Sequence, residues 1–338
     1  MKRAALIGVG MVADTHRLAL AASETVELTT ICARRPERAT EYASAHGLSA
    51  ATLPEIAADP EIDFVILATP PNARTEIVTA LVQARKPILM EKPIERSLAA
   101  ARAIVAQCEG ASVPLGLVFQ HRFRDVSERL TALVADGALG EIGHVEITVP
   151  WWRGQEYYDQ PGRGTIAQDG GGVLITQAIH TLDLALSVTG PVTQVQAMAR
   201  TSKLHEMEAE DVVAAGLDFA SGAVGTLTAS TASFPGGAES ITLHGTKGSA
   251  QLARAQLDIH WRDGGRETHG ALASTGGGAN PMAFTHAWHQ GVIEDFAASL
   301  DEDRPPRLTG REALKVHALI EALMESSLEG RRMKVPHV

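Results

Sequence analysis

The chain is poor in three things, and each shortage closes a class of function. Cysteine occurs twice in 338 residues, at Cys32 and Cys108. Both lie in apolar surroundings, so they read as small core residues of a reducing compartment. Neither a disulfide framework nor a thiolate metal site is expected. Positive charge is the second shortage. Lys and Arg number 30 against 40 Asp and Glu, for a net charge of −10, which argues against a nucleic-acid partner. Long apolar runs are the third. No segment approaches the roughly 18 apolar residues of a transmembrane helix, so no membrane partner is expected. Met1-Lys2-Arg3 and the apolar stretch to Ala13 imitate the start of a signal peptide. That stretch is short, contains Gly8 and Gly10, and runs into Asp14, His16 and Arg17 with no small-residue cleavage site. A cytoplasmic protein is the expectation.

What is present is ordinary globular composition, 45% hydrophobic and 21% charged. The length suggests two domains. The first third alternates short apolar runs with helical patterns. Strands are expected at Arg3–Ile7, Val26–Cys32, Asp63–Ala68, Pro87–Met90 and Pro114–Phe119. Helices are expected from the glycine loop to Ser23, then at Pro36–His46, Asn72–Ala84 and Ser97–Glu109. This alternation implies a doubly wound parallel sheet. Ligands bind such sheets at the carboxyl ends of the strands.

Three segments fall at those ends. Gly8-Val9-Gly10-Met11-Val12-Ala13 follows the first strand and opens a helix. The first glycine makes the tight turn, the second admits a pyrophosphate, and Ala13 allows close helix–strand packing. The helix start supplies amide donors for phosphates. Gly8, Gly10, Met11 and Val12 are therefore expected to hold a dinucleotide. The second strand ends in Cys32-Ala33-Arg34-Arg35, with no acid before Glu37. Two guanidiniums suit a ribose 2′-phosphate, so NADP is favoured over NAD; stacking on adenine or plain solvent exposure is the alternative for Arg34. Thr69-Pro70-Pro71-Asn72 and Glu91-Lys92-Pro93 end two further strands. Thr69, Pro70, Asn72 and Glu91 are expected along the cofactor, with Asn72 equally able to cap the following helix. Lys92 is expected to hydrogen-bond a substrate oxygen.

After about His121 the pattern changes. A helix is expected at Ser127–Asp136. Strands follow at His144–Val149, Val192–Ala199, Val212–Phe219, Ala223–Ala229, Glu239–His244 and Ala250–His260. They suggest an antiparallel sheet with one solvated face. Gly270–Ala279 is glycine-rich and reads as a loop. Helices are expected again at Ala287–Leu300 and Arg311–Leu328, with His286 and His289 in solvated or capping roles. Gly170-Gly171-Gly172 introduces a further helix on which Thr176, His180 and Asp183 share one face. His180 is suited to exchange a proton near neutral pH. No H-E-x-x-H spacing or dense His/Cys cluster accompanies it, so no metal is expected. The aromatics Trp151, Trp152, Tyr157 and Tyr158 suit either a polar-ligand pocket or core packing.

The Gly8-Val9-Gly10 fingerprint, Thr69-Pro70-Pro71-Asn72, Glu91-Lys92-Pro93 and Gly170-Gly171-Gly172 with His180-x-x-Asp183 together resemble the glucose–fructose oxidoreductase/inositol dehydrogenase/MocA family. The likeness extends to Arg163-Gly164-Thr165 and Asp295-Phe296. It implies an α/β protein. Residues 1–120 form an NAD(P)-binding Rossmann domain, and residues 121–338 an α+β substrate and oligomerisation domain with a large open, mainly antiparallel sheet. It implies oxidation or reduction of a sugar, polyol or related hydroxy or keto carbon by NADP or NAD, in a homodimer or homotetramer packed through that sheet. Lys92 and His180 are the implied catalytic pair, assisted by Thr176 and Asp183; which of the pair moves the proton stays open. Arg122, Tyr157, Tyr158, Arg163 and Gln177 are the expected substrate contacts. The chain departs from the family pattern at Thr176, where Asp or Asn is frequent, and at Arg74, where histidine is frequent. The Lys92–Pro93 bond matches a family position that can be cis. Alternatives are a dinucleotide-sensing regulator without turnover, or a dehydrogenase of a non-sugar diol or imine.

Overall fold

A computed structural model describes residues 1–272 and 284–338. It divides into two compact units, Met1–Gln120 with Thr285–Leu314, and His121–Phe284 with Lys315–Val338. The return of 285–314 to the first unit departs from a division into 1–120 and 121–338. Its cause is apolar packing. The helix Ala287–Asp301 sets Phe296 edge-on against Phe64, with ring centroids 5.3 Å apart. Gly116 makes room for that ring, since a Cβ there would lie 2.5 Å from Phe296 Cδ2.

The first unit is built on six strands, β1 (Lys2–Ile7), β2 (Val26–Cys32), β3 (Ser49–Ala50), β4 (Phe64–Leu67), β5 (Ile88–Glu91) and β6 (Leu115–Val118). Their order is β3-β2-β1-β4-β5-β6. All pairs are parallel, which is the dinucleotide-binding order. Strands such as Phe64-Val65-Ile66-Leu67 are apolar at every position because helices cover both faces. Those helices are α1 (Ala13–Ala21), α2 (Pro36–His46), α3 (Leu53–Ala58), α4 (Arg74–Gln83) and α5 (Leu98–Gly110). Ser97 caps α5 by accepting from the Ala100 amide at 3.2 Å. Asn72 caps nothing: it lies exposed in a 3-10 turn, Pro71–Ala73, ahead of α4. Both cysteines are buried and free, and burial pushes the Cys108 thiol up to about 12.

The second unit carries a nine-stranded sheet. Its strands are β7 (Ile142–Pro150), β8 (Val192–Arg200), β9 (Val212–Phe219), β10 (Val224–Ser230), β11 (Ser240–Gly245), β12 (Gly248–Ala253), β13 (Gln256–Trp261), β14 (Arg266–Gly270) and β15 (Met333–Lys334). The order is β14-β13-β12-β11-β7-β10-β9-β8-β15. Every pair is antiparallel except β7 with β10. One face buries Val145, Ile147, Leu243, Leu252 and Ile259 beneath the helices Asp125–Ala135 and Ile179–Thr189. The other face carries His144, Glu146, Thr226 and Gln251, as the period of two requires. The stretch 250–260 is two strands and not one, because Arg254 turns the chain at φ 58°. Gly270 ends β14, and the rest of the glycine-rich loop expected there falls largely outside the described residues. Among the described residues, no helix is long and apolar enough to cross a membrane.

Candidate active site

In the first unit the loop between β1 and α1 has the form a dinucleotide needs. Gly8 adopts φ +113°, and a Cβ on it would sit 2.7 Å from the Ala68 carbonyl oxygen, so β4 excludes any side chain there. Gly10 is exposed and has nothing within 4 Å of where a Cβ would be. The fold therefore tolerates a side chain at Gly10, and a pyrophosphate against its backbone would not. Met11 is exposed, Val12 half-buried, and no side chain caps α1. Arg34 and Arg35 are exposed at the end of β2. Thr69 Oγ1 is buried with no hydrogen-bond partner among the described residues. Exposed cations, an open glycine and a spare buried hydroxyl on one sheet edge fit a phosphorylated, polyhydroxy cofactor.

Lys92 follows β5 directly and is half-buried. Its peptide bond to Pro93 is cis. Arg74, fully buried on α4, ties this segment down. Its Nη1 donates to the Glu91 carbonyl at 2.5 Å and also to the Pro93 carbonyl. Its Nη2 and Nε donate to the Thr69 carbonyl at 2.7 and 3.1 Å. One guanidinium thus joins the ends of β4 and β5, a task suited to its planar set of donors. Burial pushes Arg74 down to about 10, against the pull of Glu91 and Glu95.

Behind Lys92 lies a sealed cluster. Glu91 Oε1 accepts from His16 Nε2 at 2.8 Å and stands 3.7 Å from His289 Nε2. The two imidazoles meet edge-on at 5.3 Å. Burial raises Glu91, but the His16 hydrogen bond and the neighbouring positive charges outweigh it and hold it at about 2. Burial and the like charges around His289 push it down to about 3, so His289 is neutral near pH 7. The His16 bond is then what keeps Glu91 ionised. His289 is 1% exposed, which corrects the solvated or capping role expected of it. Glu91 turns inward to these rings, and only its carbonyl faces the Arg74 clamp. His16 was legible as a polar residue in the buried row Ala13, His16, Leu20 of α1.

In the second unit Glu210 organises the start of the His180 helix. Its carboxylate accepts from the Gly172 and Leu174 amides at 2.9 and 3.1 Å, and its carbonyl from Val173 at 2.8 Å. Burial raises its pKa. A Cβ on Gly172 would lie 1.7 Å from the Glu210 carbonyl oxygen. The helix then opens with a π turn, Leu174–Ala178, before the α-helix Ile179–Thr189. A π turn is wider than an α turn, so the stretch that carries Thr176 is not regular α-helix. Thr176 donates to the Gly172 carbonyl at 2.6 Å and contacts the buried Gln177 side chain.

His180 is buried at 8% exposure and stacks on His121, with centroids 4.9 Å and planes 28° apart. Arg122, next in the chain, forks onto Asp183 with Nε–Oδ2 at 2.7 Å and Nη2–Oδ1 at 2.6 Å. Arg122 and Asp183 were expected to touch substrate and to serve His180; the structure bonds them to each other. Tyr158 is buried, its hydroxyl 2.6 Å from Thr231 Oγ1, and burial pushes it up to about 12. The phenol is thus protonated and engaged with Thr231 inside the fold. Tyr157 is half-buried with Arg163 over its ring at 5.2 Å and Arg153 at 5.8 Å. Arg163 also lies 3.7 Å from Asp169. His121 and Glu210 carry no spacing signal that marks them in the sequence.

Comparison with known proteins fits this arrangement. The model of an "oxidoreductase family, NAD-binding Rossmann fold" matches residues 2–119, and that of a "GFO/IDH/MocA C-terminal domain" matches residues 127–251. D-apiose dehydrogenase of Paraburkholderia graminis is 29% identical over 350 positions, spanning 98% of this chain and 89% of its own. Inositol 2-dehydrogenase of Rhizobium meliloti is 25% identical, spanning 98% and 99%. The WlbA dehydrogenase from Bordetella pertussis, solved in complex with NADH and UDP-GlcNAcA, superposes with a TM-score of 0.86 at 28% identity, covering 100% of this chain and 98% of that one.

Proposed function

The chain belongs to the GFO/IDH/MocA oxidoreductase family, and from that premise we propose that it interconverts a hydroxyl and a keto group on a sugar, polyol or related substrate. The observation that carries this reading is the support built around Lys92. Arg74 clamps the backbone on both sides of it, and the Glu91 side chain on its N-terminal side is locked to His16. Such rigidity holds a donor at one place, which matters where charge develops. Relatives named for apiose and inositol, both polyhydroxy compounds, support the substrate class.

When bound, the nicotinamide dinucleotide accepts or supplies the hydride. Gly8, Gly10, Met11 and Val12 hold its phosphates, Arg34 and Arg35 its ribose phosphate, and Thr69, Pro70 and Asn72 the chain beyond. In the oxidative direction the carbon loses its hydrogen with the bonding pair, the hydroxyl proton passes to His180, and the carbonyl forms. Lys92 donates a hydrogen bond to that oxygen throughout. The Arg122–Asp183 pair positions the helix that bears His180. Tyr157 and Arg163 contact substrate hydroxyls. Assembly uses the open face of the second sheet, where Met198, Val212 and Val224 are exposed.

The test is a panel of aldoses, alditols and cyclitols with each nicotinamide dinucleotide, read by nicotinamide absorbance. Turnover of at least one polyhydroxy compound is expected. His180→Ala should lower it by about 100-fold or more while cofactor titration is unchanged. Cofactor binding without turnover across the panel would favour a dinucleotide sensor.

A further inference from the structure

A buried pair in the second unit has no part in the hydride transfer described above. His205, in the loop between β8 and β9, faces Asp211 at the end of that loop, with Nδ1 2.8 Å from Oδ2 and neither side chain exposed. The other ring nitrogen, Nε2, lies 2.8 Å from the Arg153 carbonyl. Three groups converge on the Asp211 carboxylate: the Ser202 amide at 2.6 Å, the Ser202 hydroxyl at 2.7 Å and His205 Nδ1. Carboxylates and backbone carbonyls accept hydrogen bonds and do not donate them. Each ring nitrogen of His205 therefore meets an acceptor and donates to it. A residue that only filled space would need neither acceptor.

What this bridge holds is one residue of the segment that leads to Tyr157. The Arg153 amide donates to the Thr231 carbonyl at 2.9 Å and the Arg153 carbonyl accepts from His205, so its backbone is fixed on both sides. Thr231 is tied to the same aspartate, its amide donating to the Asp211 carbonyl at 2.9 Å. The rings of Tyr158 and Trp152 pack on the imidazole, with centroids 4.9 and 5.5 Å away. From this fixed backbone the Arg153 guanidinium stands 5.4 Å from the Trp151 ring centroid and 5.8 Å from that of Tyr157. A guanidinium within about 6 Å of an aromatic ring is attracted to it. The position of Arg153 thus bears on the position of the Tyr157 ring.

We propose that His205 is a positioning residue for substrate: held by Asp211, it fixes the Arg153 backbone and, through the Arg153 guanidinium, orients Tyr157. The assignment rests on the reading of Tyr157 as a substrate contact. Such a contact acts alike on bound substrate and transition state, so its loss raises KM and leaves kcat in place. The sequence gives no hint of it, since His205 stands six positions from Asp211 in a loop and 52 from Arg153.

The test compares two variants of the full-length protein that differ in one hydrogen bond. In Asp211→Asn the amide oxygen keeps the Ser202 amide and the amide nitrogen donates to Nδ1, so Nε2 still donates to the Arg153 carbonyl. In His205→Leu/Asp211→Asn that last bond is gone and no buried charge is left behind. The probe is the compound of the aldose, alditol and cyclitol panel with the highest kcat/KM. Asp211→Asn should keep the parental KM within about threefold, and the double variant should raise it about tenfold or more, because a buried acceptor is left unmet. In both, kcat should stay within about twofold of the parent, and cofactor dissociation constants should not move. A double variant with the KM of Asp211→Asn overturns the proposal, as does one that loses kcat and keeps KM. Long-range nitrogen–proton spectra of the parent protein should show a proton on both His205 ring nitrogens. A bare ring nitrogen there also overturns the proposal, and this measurement needs neither substrate nor a folded variant. Tyr157→Leu separates the proposal from its premise. A parental KM in Tyr157→Leu removes Tyr157 from the substrate site and overturns the assignment at its base. A raised KM in Tyr157→Leu beside an unmoved KM in the double variant overturns the role of His205 alone.

Discussion

Arg122 and Asp183 are joined at two points, with parallel bonds of 2.7 and 2.6 Å between guanidinium and carboxylate. Asp183 is 1% exposed and sits one turn after His180. The pair therefore ties the turn at Gln120–Phe123 to the helix that carries the proposed proton acceptor.

Breaking that fork from one side leaves a buried charge. Arg122→Met should destabilise the protein by about 3–5 kcal/mol. Replacing both partners, Arg122→Met/Asp183→Leu, should recover much of the loss. Denaturation midpoints of the single and double variants measure both effects. If the single variant is as stable as the parent, the pair is not the anchor described.

Arg74 makes a separate prediction. Its guanidinium holds the carbonyls of Thr69 and Glu91 together. Arg74→Ala leaves those acceptors buried and releases the Lys92 segment. Each unsatisfied group costs about 1–3 kcal/mol. Turnover should fall further than substrate KM rises, and Arg74→Lys should recover only part, because one ammonium cannot span the same acceptors. A variant with lowered thermal midpoint but parental kcat would confine Arg74 to stability.

The sealed cluster behind Lys92 sets a pH dependence. The ordinary His289 value of 6.5 is depressed to about 3 in the fold. Between those values the unfolded chain holds a proton that the folded chain refuses, so stability falls as pH drops from about 6.5 to about 3. Glu91, lowered from 4.5 to about 2, acts in the same direction over its own window. The folded state keeps the anion while the unfolded state is protonated. Each group contributes a slope of roughly 1.4 kcal/mol per pH unit within its window. His289→Gln should flatten the stability profile between about pH 6.5 and 3 relative to the parent. Parallel profiles would show that His289 titrates normally.

Gly172 gives a steric prediction. A Cβ there meets the Glu210 carbonyl oxygen at 1.7 Å and its nitrogen at 2.8 Å. Neither is the end of a flexible side chain, so the start of the His180 helix must move. Gly172→Ala should cost on the order of 1–3 kcal/mol or more and suppress turnover. Gly10→Ala, with no neighbour within 4 Å, should leave stability nearly unchanged and weaken cofactor binding. Equal thermal midpoints for the two variants would contradict this contrast.

What the sequence revealed follows from periodicity. Val26–Cys32 and Val212–Phe219 are recognisable end to end, because each is bounded by turn residues and patterned for burial on two faces or one. Ser49–Ala50 is two exposed residues with no pattern, and becomes a strand only by pairing with β2. The break at Arg254 lacks the glycine that usually announces a left-handed turn. The catalytic candidates were visible because strand ends and helix faces are local. Their supports were not. His16 meets Glu91 across 75 positions, and Arg74 reaches Glu91 across 17. A single sequence carries no trace of such pairings. The π turn before His180 has no residue signature either.

The cofactor's ribose offers the last prediction. Arg34 and Arg35 are exposed at the end of β2. No acid precedes Glu37 to bind a ribose 2′-hydroxyl in their stead. A 2′-phosphate offers these guanidiniums charged, two-point contacts, while a 2′-hydroxyl offers them little. NADP(H) should therefore bind more tightly than NAD(H). Arg34→Ala should weaken NADP(H) by about tenfold or more and leave NAD(H) nearly unaffected. Because both groups face solvent, added salt should shrink the preference as it screens them. Dissociation constants for both cofactors at low and high ionic strength test the point. Tighter binding of NAD(H) by the parent protein would show that Arg34 and Arg35 do not read the phosphate. An unchanged NADP(H) affinity in Arg34→Ala would leave the contact to Arg35 alone.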